Sequence, residues 1–324
     1  MDDRREFVSL TPAAKSLGVV PVLIHATYSP MDAGQAAMLF SEHLVDSLQH
    51  ERIATFDPDQ LINYRQHRPH MVFEDWRFTD YAEPEIVLDL LRDDEGKALL
   101  LLHGPEPDLQ WNRFTDTVIE LAERFGVETT IGVQGIPMGV PHTRPIQLTM
   151  HATERHLIGD QPELFGTIQV PGHVSALLEY RMGQRGHHAV GITAAVPHYL
   201  ASSPYPPAAS ALVRRVAQQA DLALPVGELE AAAARMGADI AEQVKDQPEV
   251  LALVTALEAQ YDSFMRSQPQ MVAAQAAQDD AGAVPTADEI GAAAEAFLAD
   301  LMGEGPSVRD HVSDNDAAGP PAGA

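Results

Sequence analysis

The 324-residue sequence predicts an α/β protein. Three observations carry that expectation. Apolar runs of strand length alternate with stretches whose apolar residues recur three and four apart. Two of these alternations form strand, helix, strand units of the right length for parallel crossovers. The strands run into loops rich in Gly and Pro, and open α/β sheets bind ligands just beyond the carboxyl ends of their strands.

Taken in order, residues 1–18 are mixed and polar and read as a loose arm before an α/β domain over 19–225. Residues 22–26 (VLIHA), bounded by Pro21, read as a buried first strand. Ser29 as N-cap, Pro30 at the first helical position and Asp32 in the first turn open a helix. Phe40, Leu44 and Leu48 lie one turn apart on its inner face, and 52–56 (RIATF) is the next strand. Between 57 and 85 the chain is rich in Pro, His, Arg and aromatics, and 71–73 pairs with 76–79 as a hairpin around Glu74 and Asp75.

Residues 85–91 alternate loosely as a strand, and 97–102 (KALLLL) is the clearest central strand. Asp108 then caps a helix whose stripe is Trp111, Phe114, Val118, Leu121 and Phe125, with Gly126 as its stop. Strands at 129–134 and 145–152, a short helix after Gly172-His173 ending at Gly183 or Gly186, and a last strand at 189–196 complete the sheet. An amphipathic helix follows over 208–222. The composition then changes to a helical hairpin over 226–268, with seams Leu229, Ala233, Met236, Ile240 and Val250, Val254, Leu257, Tyr261, Phe264 joined at Pro248. The tail over 269–324 is acidic and reads as mostly disordered, except for a helix at 286–302 that Thr286 and Glu289 open as a capping box.

Composition excludes several classes. With no cysteine there is no disulfide, thiolate zinc site or cysteine nucleophile. A formal net charge of −26 repels phosphate backbones and anionic lipid surfaces, so neither nucleic acid nor a membrane is an expected partner. The amino terminus lacks a basic segment followed by an apolar one, and the longest aliphatic run, near 98–102, is too short to span a bilayer, which points to a cytoplasmic protein.

The densest candidate stretch is 129–144 (TTIGVQGIPMGVPHTR), a β-branched strand expected to break at Gly135 into a loop stiffened by proline. His103, His142 and His198 each follow a strand, and their recurrence points to one shared pocket. His103 with Glu106 can do acid–base work if burial brings the carboxyl toward neutrality. Alternatively, Glu106 caps the Trp111 helix and His103 bonds a loop carbonyl. His142 with Arg144 can hold a carboxylate or phosphate, or Arg144 can form an internal ion pair. Gly172-His173 at a helix start can offer free N–H groups to an anion. No HExxH, G-x-S-x-G, Walker or G-x-G-x-x-G motif occurs, and His187-His188 point to opposite faces of a strand, so neither a metal nor a cofactor is expected.

Four motifs in order resemble the proteasome assembly chaperone 2 family in its bacterial, actinobacterial-type branch. They are Leu101-Leu102-His103-Gly104-Pro105-Glu106-Pro107 with Trp111 and Phe114; Gly135-Ile136-Pro137 with Pro141-His142-Thr143-Arg144-Pro145; Pro171-Gly172-His173 before Leu177-Leu178; and Val196-Pro197-His198-Tyr199. The resemblance implies a layered α/β/α sheet domain similar to the purine nucleoside phosphorylase fold, and self-assembly into a homo-oligomer such as a trimer. It implies no reaction, since a fold hosts many functions. Eukaryotic relatives act by protein binding during assembly of the proteasome α-ring. The tail of such factors carries a hydrophobic residue and a tyrosine before its final residue. This chain reads Gly-Pro-Pro-Ala-Gly-Ala there, which argues against that mode of docking. The leading expectation is thus a non-enzymatic oligomeric interaction protein with an unidentified cytosolic protein partner. The alternative is an enzyme or binding protein for an anionic or nucleoside-like small molecule, with its pocket at the strand ends.

Overall fold

The computed structural model describes residues 6–159 and 166–279, and the expected helix at 286–302 lies outside them. The chain divides into two compact units, Met1–Met265 and Arg266–Ala324. The sheet, its covering helices and the sites below all belong to the first.

The first unit is built on an eight-stranded sheet in the order β1-β3-β6-β7-β2-β8-β10-β9. Its strands are β1 (Val8–Leu10), β2 (Val22–Tyr28), β3 (Gln49–Phe56), β6 (Ile86–Arg92), β7 (Ala98–Pro105), β8 (Thr129–Met138), β9 (Leu148–Ala152) and β10 (His188–Pro197). The four central strands β7, β2, β8 and β10 are mutually parallel, while β6 and β9 run against them. Because side chains alternate along a strand, the central strands face two cores. Ile24, Leu101, Val133 and Ile192 face a core completed by α2 (Ala36–Ser47), α6 (Pro206–Ala220) and α7 (Gly227–Val244). Leu23, Leu100 and Ala189 face another with α1 (Ala13–Ser16), α3 (Pro58–Leu61), α4 (Trp111–Arg124) and α5 (Val174–Gln184). The result is an α/β/α layering. The last described element is α8 (Pro248–Asp279).

Several local expectations change. The arm is part of the sheet: β1 pairs with β3, and Phe7 is buried edge-on against Phe56, 6.0 Å between ring centres. Strand β3 is parallel in direction to β2 but separated from it by β6 and β7, because the β6–β7 antiparallel pair enters the sheet between them. Ser29 does not cap α2: a 3₁₀ turn, Ala33–Gln35, intervenes, Gln35 stands at the N-cap position, and Asp32 ahead of the turn supplies the capping carboxylate. That carboxylate accepts from Ala37 N–H (3.0 Å) and Met38 N–H (3.3 Å) and, across the fold, from Gly135 N–H (3.0 Å). Asp108 does not cap α4; Gln110 stands at that position, and Asp108 accepts from Asn63 N–H at 2.6 Å. Strand β8 continues through Gly135 to Met138, so that glycine serves close approach and not a break. A Cβ there would stand 2.1 Å from the Ala33 carbonyl oxygen. Helix α8 runs past Gln268 to Asp279, because Ala and Gln, which make the segment look featureless, are good helix formers.

Asp32 satisfies donors from two elements, so its loss strips a helix cap and orphans the buried Gly135 N–H. Asp32→Ala is expected to destabilise the protein by about 2–4 kcal/mol in urea unfolding. A loss under about 0.5 kcal/mol would show that water replaces the carboxylate.

Candidate functional site

Parallel strands β2 and β7 end side by side, with Thr27 opposite Gly104 and Tyr28 opposite Pro105. Gly104 has φ +124°, and a Cβ there would lie 2.1 Å from the Glu85 carbonyl oxygen, so only glycine lets β7 pass the start of β6. Beyond these ends opens a cleft of about 670 Å³ lined by Tyr28, Glu42, His67, His70, Glu85 and His103 among others. Its size suits a small molecule. His103 does not point freely into it. Its Nε2 lies 2.9 Å from Asp89 Oδ2, and Asp89 Oδ1 accepts from Arg52 Nε at 2.5 Å. Burial works against the Asp89 charge, but His103 and Arg52 outweigh it and hold the carboxyl below the usual range.

Glu106 does not join His103. His103 lies on the α2 face of the sheet, whereas Glu106 reaches the α5 face and accepts from Val174 N–H at 2.7 Å, the first residue of α5. It therefore caps a helix, but α5 and not the Trp111 helix. His173 is the N-cap of the same helix, its Nδ1 accepting from Ala176 N–H at 3.3 Å. Two of the free N–H groups that the sequence offered to an anion are thus engaged within the chain.

His142 and His198 do meet, around Tyr199. The Tyr199 hydroxyl accepts from His142 N–H at 3.0 Å and lies 2.8 Å from His142 Nδ1, and the His198 ring stands edge-on at 5.4 Å. Arg144 turns to α8, where Asp262 takes its fork in two 2.8 Å bonds and Glu258 accepts from it at 3.1 Å. Tyr261 O–H also donates to the Pro145 carbonyl at 3.2 Å, so α8 lies along this loop. The residues expected in one pocket are therefore divided among the His103 cleft, the start of α5 and the loop under α8. Gly135 packs against Ala33, apart from any open space.

Sequence reasoning passed over a polar layer between α5 and the sheet. His25 is paired across the β2–β8 ladder with Gly132, and His151 across β9–β10 with Gly191. Each imidazole lies over its glycine: a Cβ at Gly132 would stand 2.4 Å from His25 Cε1, and one at Gly191 would overlap the His151 ring. From above, Ser175 Oγ lies 2.7 Å from His25 Nδ1, and Glu179 lies 2.8 Å from His151 Nδ1. The available signal was the glycine inside each apolar strand, which marks a close approach. The cavity between them measures about 10 Å³, room for one water and no substrate. Burial, with His173 and His151 nearby, pushes the His25 pKa down to about 3. Burial opposes charge on His151, but Glu179 overcomes it and raises that group. A serine beside a neutral, enclosed histidine is here a packing device.

Fold and site together define a three-layered α/β protein whose strand-end loops are tied down by internal polar contacts around an open cleft. The chain belongs to the PAC2 family, whose model matches residues 29–244. It is similar to a Mycobacterium tuberculosis protein of unknown function at 46% identity, over 83% of this chain and 93% of that one, with a TM-score of 0.80. A Corynebacterium glutamicum protein of unknown function matches at 40% identity, 80% and 98% coverage and a TM-score of 0.76. A second M. tuberculosis protein, described as a proteasome-assembly chaperone homologue, matches at 26% identity, 72% and 99% coverage and a TM-score of 0.65. No curated protein matches the chain.

Because the folded chain holds His25 neutral while the unfolded one titrates near 6.5, the unfolded state binds more protons between those values. Stability is therefore full above pH 6.5 and falls as the pH drops toward 3, by up to roughly 1.4 kcal/mol per unit from this group. Denaturant titrations of His25→Asn should show a shallower acid limb than the parent across that window. Parallel limbs would mean that His25 is protonated in the fold.

Proposed function

We propose that this protein is a non-enzymatic, chaperone-like interaction protein that works in the cytoplasm as a homo-oligomer, a trimer, and binds protein clients. The observation that carries the reading is a hairpin that stands off the main sheet, β4 (Met71–Glu74) and β5 (Arg77–Tyr81). It leaves Phe73 58%, Trp76 78% and Phe78 64% exposed, with Met71, Val72 and Tyr81 also open. A lone two-stranded ribbon is marginal in water, and an apolar patch of this kind marks a contact surface. The occupant is a second copy of the chain. Just before the hairpin, 65–70 (RQHRPH) carries two arginines and two histidines and no acid, in a protein of net charge −26, so an acidic face of another copy complements it. The chaperone homologue at 26% identity supports protein binding as the activity.

Light scattering after gel filtration should give three times the chain mass for the wild type and a folded monomer for Trp76→Glu with Phe78→Glu. A wild-type monomer, or a variant that keeps the oligomer, would remove the hairpin from this role.

The cleft at His103 favours a second reading, a small anionic or nucleoside-like ligand held at the strand ends. Native mass spectrometry of the protein taken from its own cytosol is expected to show a stoichiometric small molecule in that case, lost on His103→Ala with the fold retained. Protein clients without such a molecule favour the first reading.

A further inference from the structure

We propose that Glu154, His156 and His188 form a zinc site at the edge of the sheet. One ligand atom from each lies within 4.8 Å of the other two, a mixed nitrogen and oxygen set that suits a borderline divalent ion. Each imidazole nitrogen lies near one of the two carboxylate oxygens of Glu154, close to the spacing of a coordination sphere. His156 Nδ1 stands 3.2 Å from Glu154 Oε2, and His188 Nε2 stands 3.5 Å from Glu154 Oε1. Tetrahedral zinc with bonds of about 2.0–2.1 Å sets neighbouring ligand atoms about 3.3 Å apart. The two imidazole rings are crossed at 84° with centres 5.7 Å apart, so both approach the carboxylate without stacking on each other.

The backbone holds these groups in place before any ion binds. His188 is the first residue of β10, fixed by its pairing with Thr129 on β8. Thr153, just before Glu154, donates its N–H to the Ala189 carbonyl at 2.9 Å, and its Oγ1 accepts from Ala189 N–H at 3.0 Å. A single 3₁₀ turn, Arg155–Ile158, then carries His156 back over Glu154, and Gln219 of α6 anchors that turn by donating to the Leu157 carbonyl at 2.9 Å. Strand alternation separates the neighbouring histidine: His187 turns the other way, to Glu123 at 3.0 Å. All three ligands are partly open to solvent, so an ion can enter directly, with water in the fourth position. With one carboxylate and two neutral imidazoles the site keeps a net positive charge on the bound ion, which the acidic chain favours. Bound zinc joins the 3₁₀ turn to β10 beside the edge strand β9 and keeps one position open for exchangeable water. The sequence carries the pattern Glu154-x-His156 with a distant histidine, which a search for HExxH passes over.

The test is calorimetric titration of Zn²⁺ alone into the untagged, chelator-washed full chain, with Co²⁺ absorption as the second readout. The expected result is one zinc per chain, a cobalt spectrum of four-coordinate type, and loss of both in His156→Ala and in His188→Ala. His156 is well exposed, so its variant tests the site even if the His188 change disturbs β10. Absence of stoichiometric binding in the wild type overturns the proposal. So does binding that survives in the His156→Ala, His188→Ala double variant.

Discussion

The structure depends on the knot at residues 32–36, where one buried carboxylate and one glycine tie the exits of β2 and β10 to the body of β8. Asp32 gathers N–H groups from the first turn of α2 and from Gly135 in β8. Two residues on, Gly34 donates to the Ala201 carbonyl at 2.7 Å and accepts from Tyr205 N–H at 2.8 Å, binding the exit of β10 and the start of α6. Burial pushes the Asp32 carboxyl up, and the backbone donors oppose that shift by favouring its charged form. Such a group is strongly coupled to its surroundings. Removing a single partner leaves buried polar atoms unsatisfied, so the knot holds as a unit.

A second constraint is the use of glycine to seat histidine. At Gly132 and Gly191 the missing side chain is the space the neighbouring imidazole occupies, so these glycines set the thickness of the layer under α5. Glu106 and His173 at the first turn of α5, and Ser175 and Glu179 along it, then match each polar group of that layer. The buried His25 is tolerated because Ser175 pairs its Nδ1, and that bond with the His151–Glu179 pair selects one seating of the helix. The strand-end motifs are thus largely structural, and the open surface lies elsewhere, at the His103 cleft and on the β4–β5 hairpin.

Much of the architecture was legible in the sequence, because strand and helix periods are local properties. The stripe Phe114, Val118, Leu121, Phe125 is buried as its spacing requires, and the 71–79 stretch forms a hairpin. Caps were less legible. Ser29 and Asp108 each have the right chemistry, but Gln35 and Gln110 hold the N-cap positions, since a cap is chosen by how the preceding chain enters the helix. The membership of the sheet was also hidden. Residues 6–10 (EFVSL) are too short an apolar run behind the charged start MDDRR to stand out from an arm, and only the edge of β3 makes them a strand.

The sequence alone determined the α/β class, the run of most elements, the exclusion of thiol chemistry and the acidic surface, because each follows from composition or from periods a few residues long. Only the tertiary structure decided that His103 meets Asp89 and not Glu106, that Arg144 is taken by Asp262 and Glu258, and that Glu154, His156 and His188 converge. The physical reason is common to all three. Which polar groups meet depends on strand order and on which face of the sheet each side chain takes, and both are set by packing between segments far apart in the chain.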